Sequence, residues 1–312
     1  MIADRARLVA VHEALLGWYA RNGRDLPWRR TRDPYAILVS EIMLQQTQVE
    51  RVRPKFHEFL ACFPTFESLA RAPVGEVIRR WAPLGYNRRA VRLHAVARTV
   101  VERFEGRLPE RAEQLRELGG LGSYTANAVA CFAFGQAVPV VDTNVRRVLG
   151  RLFADLVGLD PPGGRSLERF AAAVLPADRA YEWNQALMDL GATLCTARAP
   201  ACPSCPMALA CVGRPLLAAA RSRPAQAAER RATYTTRPPY QRSNRFYRGR
   251  IVDQLRLLEP GQSLSLAELA RAVGPDPSSK DDAWIADLVD GLRRDGLATI
   301  VEDQGETWVA LP

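Results

Sequence analysis

The sequence predicts a mainly α protein of two lobes, followed by a small α+β module. Three observations carry this. From Leu8 to Gly213 short apolar-periodic segments follow one another, punctuated by Pro and Gly, with no long alternating strand pattern. After Gly213 the composition turns arginine-rich, and from residue 251 it turns acidic with a hairpin signal. With 312 residues, 47% of them hydrophobic, the chain can build about two sizeable cores, which excludes a disordered chain or a disulfide-stapled miniprotein.

Residues 1–213 form the first expected domain. Apolar positions recurring every three to four residues predict helices over Leu8–Tyr19, Ala36–Glu50, Val52–Cys62, Phe66–Ala70, Val74–Trp81, Arg88–Glu102 and Glu110–Leu118. The same period continues over Tyr124–Phe134, Thr143–Phe153, Leu167–Val174 and Trp183–Leu194. Residues 214–250 hold ten arginines and one acid, Glu229. They read either as a solvated linker or as a basic strap, in which Arg242, Arg245, Phe246, Tyr247, Arg248 and Arg250 mix charge and aromatics in a way that suits a phosphate backbone. Residues 251–312 read as a separate module. Helices are predicted over Ile251–Leu258, Leu266–Val273 and Trp284–Arg294, the second opened by the capping-box spacing Ser265-Leu266-Ala267-Glu268. Ala298–Val301 and Thr307–Leu311 pair through Gln304-Gly305, giving a winged-helix-like unit. Its five basic against twelve acidic residues argue against a second DNA clamp and for a packing or protein-contact role.

Net charge is +9, with 43 Lys+Arg against 34 Asp+Glu, and nucleic acid is the default partner for such a balance. Only Lys55 and Lys280 are lysines, so the charge is nearly all arginine and is a weak clue alone. No run of 18 apolar residues could span a membrane, and Asp4, Arg5, Arg7, His12 and Glu13 interrupt any signal-peptide core, so a cytosolic protein is expected. Four of the six cysteines, Cys195, Cys202, Cys205 and Cys211, lie within 17 residues as C-x6-C-x2-C-x5-C. In a reducing compartment that cluster reads as metal ligation, and four thiolates accept either tetrahedral zinc or an iron-sulfur cube. Arg198, between the first two, is placed to be presented to a phosphate, while the isolated Cys62 and Cys131 read as core residues.

Leu118-Gly119-Gly120-Leu121-Gly122-Ser123-Tyr124 joins two helical patterns through a tight turn. Glycines at 120 and 122 let backbone approach a ligand, and the amides from Ser123 onward open a helix that can bind a phosphate oxygen. Asp142 follows the apolar run Val138–Val141 and is either a helix N-cap, worth about 1 kcal/mol, or a carboxylate facing a developing positive sugar. Glu41 lies in the apolar stretch Leu38–Val49. Burial there would raise its pKa, which suits a general acid; the plainer reading is a helix carboxylate paired with an arginine.

The cysteine spacing resembles the [4Fe-4S] signature of the endonuclease III-like DNA glycosylases, and the glycine turn resembles their helix-hairpin-helix element, with Gly119 where proline is usual. The block Glu41-Ile42-Met43-Leu44-Gln45-Gln46-Thr47-Gln48, together with Trp81–Arg89 and the Asp142 block, is similar to the adenine DNA glycosylase family, which removes adenine mispaired with 8-oxoguanine. The resemblance runs from about Arg24 to Cys211 and implies a two-lobed helix-hairpin-helix fold with a [4Fe-4S] loop at 195–211. It implies that Glu41 protonates adenine N7 and that Asp142 stabilises the oxocarbenium-like sugar, with Tyr124 and Asn144 orienting the pair. Arg24, Trp28 and Arg29 would wall the flipped base. Gln46 and Tyr86 would fill the gap and wedge beside the opposite base, while Gly120, Gly122, Ser123 and Arg198 would hold the DNA backbone.

Lyase-type members carry a lysine where this chain has Tyr124. A tyrosine cannot form a Schiff base, so a monofunctional enzyme leaving an abasic site is implied. Nothing after Gly213 has the length or acidic motif of the hydrolase-like C-terminal domain of many members, and the tail resembles the truncated form of high-GC bacterial ones. The implied partner is double-stranded DNA with a purine mismatch, met by a monomer at the bacterial nucleoid. The rival readings are release of hypoxanthine, or of thymine opposite guanine, and a non-catalytic iron-sulfur DNA-binding protein. Glu41 argues against thymine, which has no N7, and retention of both carboxylates argues against a mere binding module.

Overall fold

A computed structural model describes residues 5–221, 240, 243–274 and 282–312. The chain runs through α1 (Arg5–Asn22), a 3-10 turn at Pro27–Arg29, α2 (Pro34–Leu44), α3 (Val49–Cys62), α4 (Phe66–Arg71), α5 (Val74–Trp81) and α6 (Arg88–Phe104). It continues with α7 (Ala112–Arg116), α8 (Ser123–Phe132), α9 (Thr143–Leu152), α10 (Ala154–Val157), α11 (Arg165–Ala173), α12 (Ala180–Thr193) and α13 (Gly213–Arg221). The tail holds α14 (Asn244–Arg256), β1 (Leu264–Ser265), α15 (Leu266–Val273), α16 (Asp282–Arg294), β2 (Thr299–Asp303) and β3 (Glu306–Ala310). The fold is therefore mainly α, as predicted. Among the described residues no helix is long and apolar enough to cross a membrane.

Two compact units arise, one from residues 1–41 with 108–230 and one from 42–107 with 231–312. In the first, Val11 and Leu15 of α1, Val148, Leu149 and Leu152 of α9, and Trp183, Leu187 and Leu190 of α12 make one core, closed by Met207 from the cysteine loop. The packing of α12 on α9 is close: a Cβ added at Gly191 would stand 2.7 Å from the Cβ of Asn144. In the second unit Ile78 of α5 joins Ile251, Val252 and Leu255 of α14, Leu269 of α15, Leu288, Val289 and Leu292 of α16, and Val309 of β3.

The tail has the predicted three helices and hairpin, with β3 central between β1 and β2 in an antiparallel sheet whose register pairs Leu264 and Ile300 with Val309. Ser265 and Glu268 form the expected capping box. Two expectations about the tail change. Its first helix begins at Asn244, capped by Ser243, and not at 251. Nor does the module stand apart, since α5 shares its core and Gly75 N–H donates to the Pro312 carbonyl at 2.7 Å.

The predicted helix Ala36–Glu50 is also two helices. Asp33 caps the first, its carboxylate accepting from the Tyr35 and Ala36 amides, and Pro34 occupies the first-turn position where a missing N–H costs nothing. It ends at Leu44 because Gln46 takes a left-handed φ of 56°. Cys131 is buried as expected, whereas Cys62, last residue of α3, is exposed and so is not a core residue.

Candidate active site

Glu41 sits near the C-terminal end of α2 with 5% of its surface exposed. Burial pushes its carboxyl up to about 7; the Tyr124 hydroxyl hydrogen-bonded to it and the Arg29 charge pull the other way, and Asp142 adds to the rise. Its Oε2 is buried with no hydrogen-bond partner among the described residues. Burial and the two neighbouring carboxylates raise the Tyr124 hydroxyl well above the usual phenol range, so it stays protonated and donates. A carboxyl that keeps about half its protons at neutrality, with one oxygen unused, is suited to donate a proton.

Asp142 is held by both oxygens. Oδ1 accepts the Val145 amide at 2.6 Å as N-cap of α9, and Oδ2 accepts Asn144 Nδ2 at 2.9 Å. The N-cap reading and the carboxylate reading therefore describe one geometry, in which the cap fixes the direction of the charge. Asn144 Oδ1 in turn accepts from Arg147 at 2.7 Å, and the same guanidinium donates to the carbonyls of Gly191 and Cys195. The approach to Asp142 depends on two residues that the sequence did not single out. The run 138–141 pairs with no strand among the described residues; instead Asn184 accepts the Val140 amide at 2.9 Å and donates to Val138 O at 3.0 Å, and Asn127 donates to Pro139 O at 2.7 Å. Side-chain amides here replace a β ladder.

Arg24 and Arg29, expected to wall a base, are engaged with a third missed residue. Asp189 of α12 is fully buried and takes bonds of 2.8 Å from Arg24 N, Arg24 Nε and both terminal nitrogens of Arg29. Burial alone would raise this carboxyl, but the bonds and charges of Arg29 and Arg24 hold it below the usual range. Trp28 is buried beside them in the 3-10 turn.

At the glycine turn the left-handed residues are Gly119 (φ 50°) and Gly120 (φ 88°), conformations in which glycine is unstrained. Proline could not adopt the first. Gly122 differs from expectation: it is an extended N-cap of α8, and a Cβ there would meet nothing within 4 Å, so neither its conformation nor a neighbour requires glycine. The Ser123 hydroxyl, at the first position of α8, donates to Glu168 at 3.3 Å.

In the other unit Gln46 and Tyr86 are both exposed and both left-handed, with φ of 56° and 47°. One guanidinium ties their turns. Arg89, 6% exposed, donates to the carbonyls of Ile42, Met43 and Gln45 on one side, to those of Leu84, Gly85 and Tyr86 on the other, and to Thr47 Oγ1 at 2.9 Å. Burial lowers its pKa to about 10, which still leaves it charged.

The four clustered cysteines are each partly buried and form no disulfide; Cys195, Cys211 and Cys202 lie close enough to Cys205 to act on it electrostatically, and burial pushes the Cys205 thiol up to about 11. Arg151 braces their loop, donating to the carbonyls of Thr196 and Ala197. Arg198 is exposed. Among the described residues no three Cys, His, Asp or Glu side chains are grouped to hold a single metal ion.

The family model of the HhH-GPD superfamily base excision DNA repair proteins matches residues 39–156, the span that holds Glu41, the glycine turn and Asp142. The chain is 41% identical over 279 residues to the adenine DNA glycosylase of Mycolicibacterium smegmatis, covering 89% of this chain and 90% of that protein. With the Homo sapiens adenine DNA glycosylase it shares 43% over 226 residues, 69% of this chain and 41% of that one. The chain belongs to the adenine DNA glycosylase family and is a DNA glycosylase. Among solved structures, a thermostable thymine-DNA glycosylase superposes with a TM-score of 0.63 at 31% identity, covering 68% of this chain and 98% of that one. Endonuclease III in a non-covalent DNA complex has the same fold, with a TM-score of 0.60 at 21% identity over 70% of this chain and all of that one.

Proposed function

We propose that this chain releases adenine from duplex DNA where it is mispaired with 8-oxoguanine or guanine, leaving an abasic site. The observation that carries the reading is the buried Glu41 with an unpartnered Oε2 beside the doubly held Asp142. Glu41 gives its proton to N7 of the flipped base. The glycosidic electron pair then leaves with neutral adenine, Asp142 stabilises the positive sugar directly or as a transient ester, and water adds at C1′ while its proton passes to a carboxylate. Tyr124 holds the Glu41 carboxyl by its hydroxyl, and Asn144 keeps Asp142 in place. With no lysine at position 124 there is no amine for a lyase step. Trp28, Arg24 and Arg29 line the base pocket, Gln46 and Tyr86 enter the stack, and the amides of Gly120, Gly122 and Ser123, with Arg198, take phosphates. The chain acts as a monomer on DNA of the nucleoid.

Single-turnover release from duplexes holding adenine opposite 8-oxoguanine, adenine opposite guanine, hypoxanthine opposite thymine and thymine opposite guanine tests this. Adenine release should be fastest, and Asp142→Asn should slow it by about 10²-fold or more while leaving duplex binding intact, as expected for lost charge stabilisation. The likeness to a thymine glycosylase favours the last duplex as the second reading; release of thymine alone would overturn the substrate.

We read the cysteine loop as a [4Fe-4S] site: the four thiols stand in the C-x6-C-x2-C-x5-C spacing, and Cys195, Cys202 and Cys211 lie close enough to Cys205 to act on it electrostatically. Cys195, Cys202, Cys205 and Cys211 would hold the cluster, which would supply a rigid anchor for the loop bearing Arg198. Protein purified without oxygen should contain about four iron and four sulfide per chain; a single zinc instead would refute the assignment.

A further inference from the structure

Of the basic-aromatic stretch near residue 245, most side chains turn inward. Tyr247 is 2% exposed, Arg248 pairs with Asp295, Arg250 donates to the Ala272 carbonyl at 3.1 Å, and Phe246 packs on Tyr247; Arg242 lies outside the described residues. Arg245 alone of that set is exposed. Its guanidinium carbon lies 4.1 Å from the centre of the Tyr86 ring and 5.7 Å from that of Tyr240, and both rings are exposed, at 40% and 60%. Among the described residues it forms no ion pair, although the module it belongs to carries twelve acids. The nearby Asp295 is taken by Arg88 and Arg248. Docking of the module does not need Arg245 either: Arg256 bonds Ile78 O and Asn87 Oδ1, Arg79 bonds Leu258 O, and Ile78 lies in the shared core. What remains is an exposed tyrosine-arginine-tyrosine array with an unneutralised charge, continuous with the turn that carries Tyr86. Stacked rings with an interposed arginine form the surface that binds nucleic-acid strands.

We propose that Arg245, flanked by Tyr240, is a DNA contact supplied by the C-terminal module, meeting a phosphate next to the base opposite the excised adenine. The proposal rests on the reading of Tyr86 as the residue that wedges beside that base. The acidic module then contributes to the interface through one cation at its edge.

The test uses the full chain and fluorescently labelled duplexes with a tetrahydrofuran abasic analogue opposite 8-oxoguanine, titrated over a range of salt. Arg245→Ala should weaken binding about tenfold and lower the slope of log affinity against log salt by about one, the value for one phosphate no longer neutralised. Arg245→Lys should restore the slope, and Arg293→Ala, on a residue engaged with Asp290, should change neither. A methylphosphonate beside the opposite base should weaken the wild type and cost Arg245→Ala nothing further. If that non-additivity appears instead with the methylphosphonate on the abasic strand, the assignment to the opposite strand is wrong. Unchanged affinity and slope in Arg245→Ala overturn the contact, and so does a lowered melting temperature with an unchanged slope, which would mark a structural residue. Tyr86→Ala separates the two readings: weakened binding there with a wild-type-like Arg245→Ala removes only this proposal, whereas wild-type-like behaviour of both removes the wedge reading with it.

Discussion

Glu41→Gln is expected to slow single-turnover release of adenine by about 10³-fold or more, within the range that a positioned general acid supplies, and to make the protein more stable at alkaline pH. Both follow from one carboxyl. Its pKa is about 7 in the fold against an ordinary 4.5, so the folded state binds the proton more tightly than the unfolded chain. Below about pH 4.5 both states are protonated and burial of the group carries no electrostatic cost. As pH rises from there the cost grows, and above about 7 it is complete at about 3 kcal/mol. The glutamine variant should therefore melt higher than the wild type at pH 8 and no higher at pH 4.5. The wild-type rate should fall as pH rises through about 7, as the proton donor is lost, and the residual rate of the variant should not follow that limb. An alkaline limb that persists in Glu41→Gln would assign the titration to another group.

The largest stability effect is expected at Asp189. Asp189→Asn leaves two guanidiniums around a site where a carboxylate had been, one of them with only 8% of its side chain exposed. Removing one partner of a buried ion pair costs about 3–5 kcal/mol, or a fall in melting temperature of about 10 °C for a unit of this size. Because the carboxyl is held below its ordinary 3.8, its stabilising charge is present above that pH and is lost as pH falls through the folded value. The gap between wild type and variant should close in acid. Denaturant unfolding at pH 7 decides the matter, and a difference under 1 kcal/mol would mean that Arg24 and Arg29 regain water without cost.

Sequence reasoning reached the elements whose causes are local. Helix period, the Ser265 and Glu268 capping box and the glycine turn are written in neighbouring residues, and the structure has them. It missed what depends on distant partners. The break after Leu44 contains no glycine or proline; it exists because the carbonyls freed there meet the guanidinium of Arg89, more than forty positions along the chain. Asn127, Asn184 and Asp189 read as ordinary helix polar residues, and only the fold shows that two of them carry the run into Asp142 while the third gathers two arginines. The tail was divided at the wrong residue for a different reason: Ile251–Leu258 carries the clearest apolar period, but α14 starts at Asn244, seven residues before it, behind the local cap of Ser243.

Arg89 has one more consequence. Gln46 and Tyr86 stand on left-handed backbone that an unsupported turn would leave for other conformers, and a shared buried cation removes that freedom before any encounter with a duplex. Ordering a turn on arrival would take part of the free energy of association. On the proposed reading, in which Gln46 and Tyr86 enter the stack, the entropy of fixing these two turns has already been surrendered during folding and is not drawn from the free energy of association.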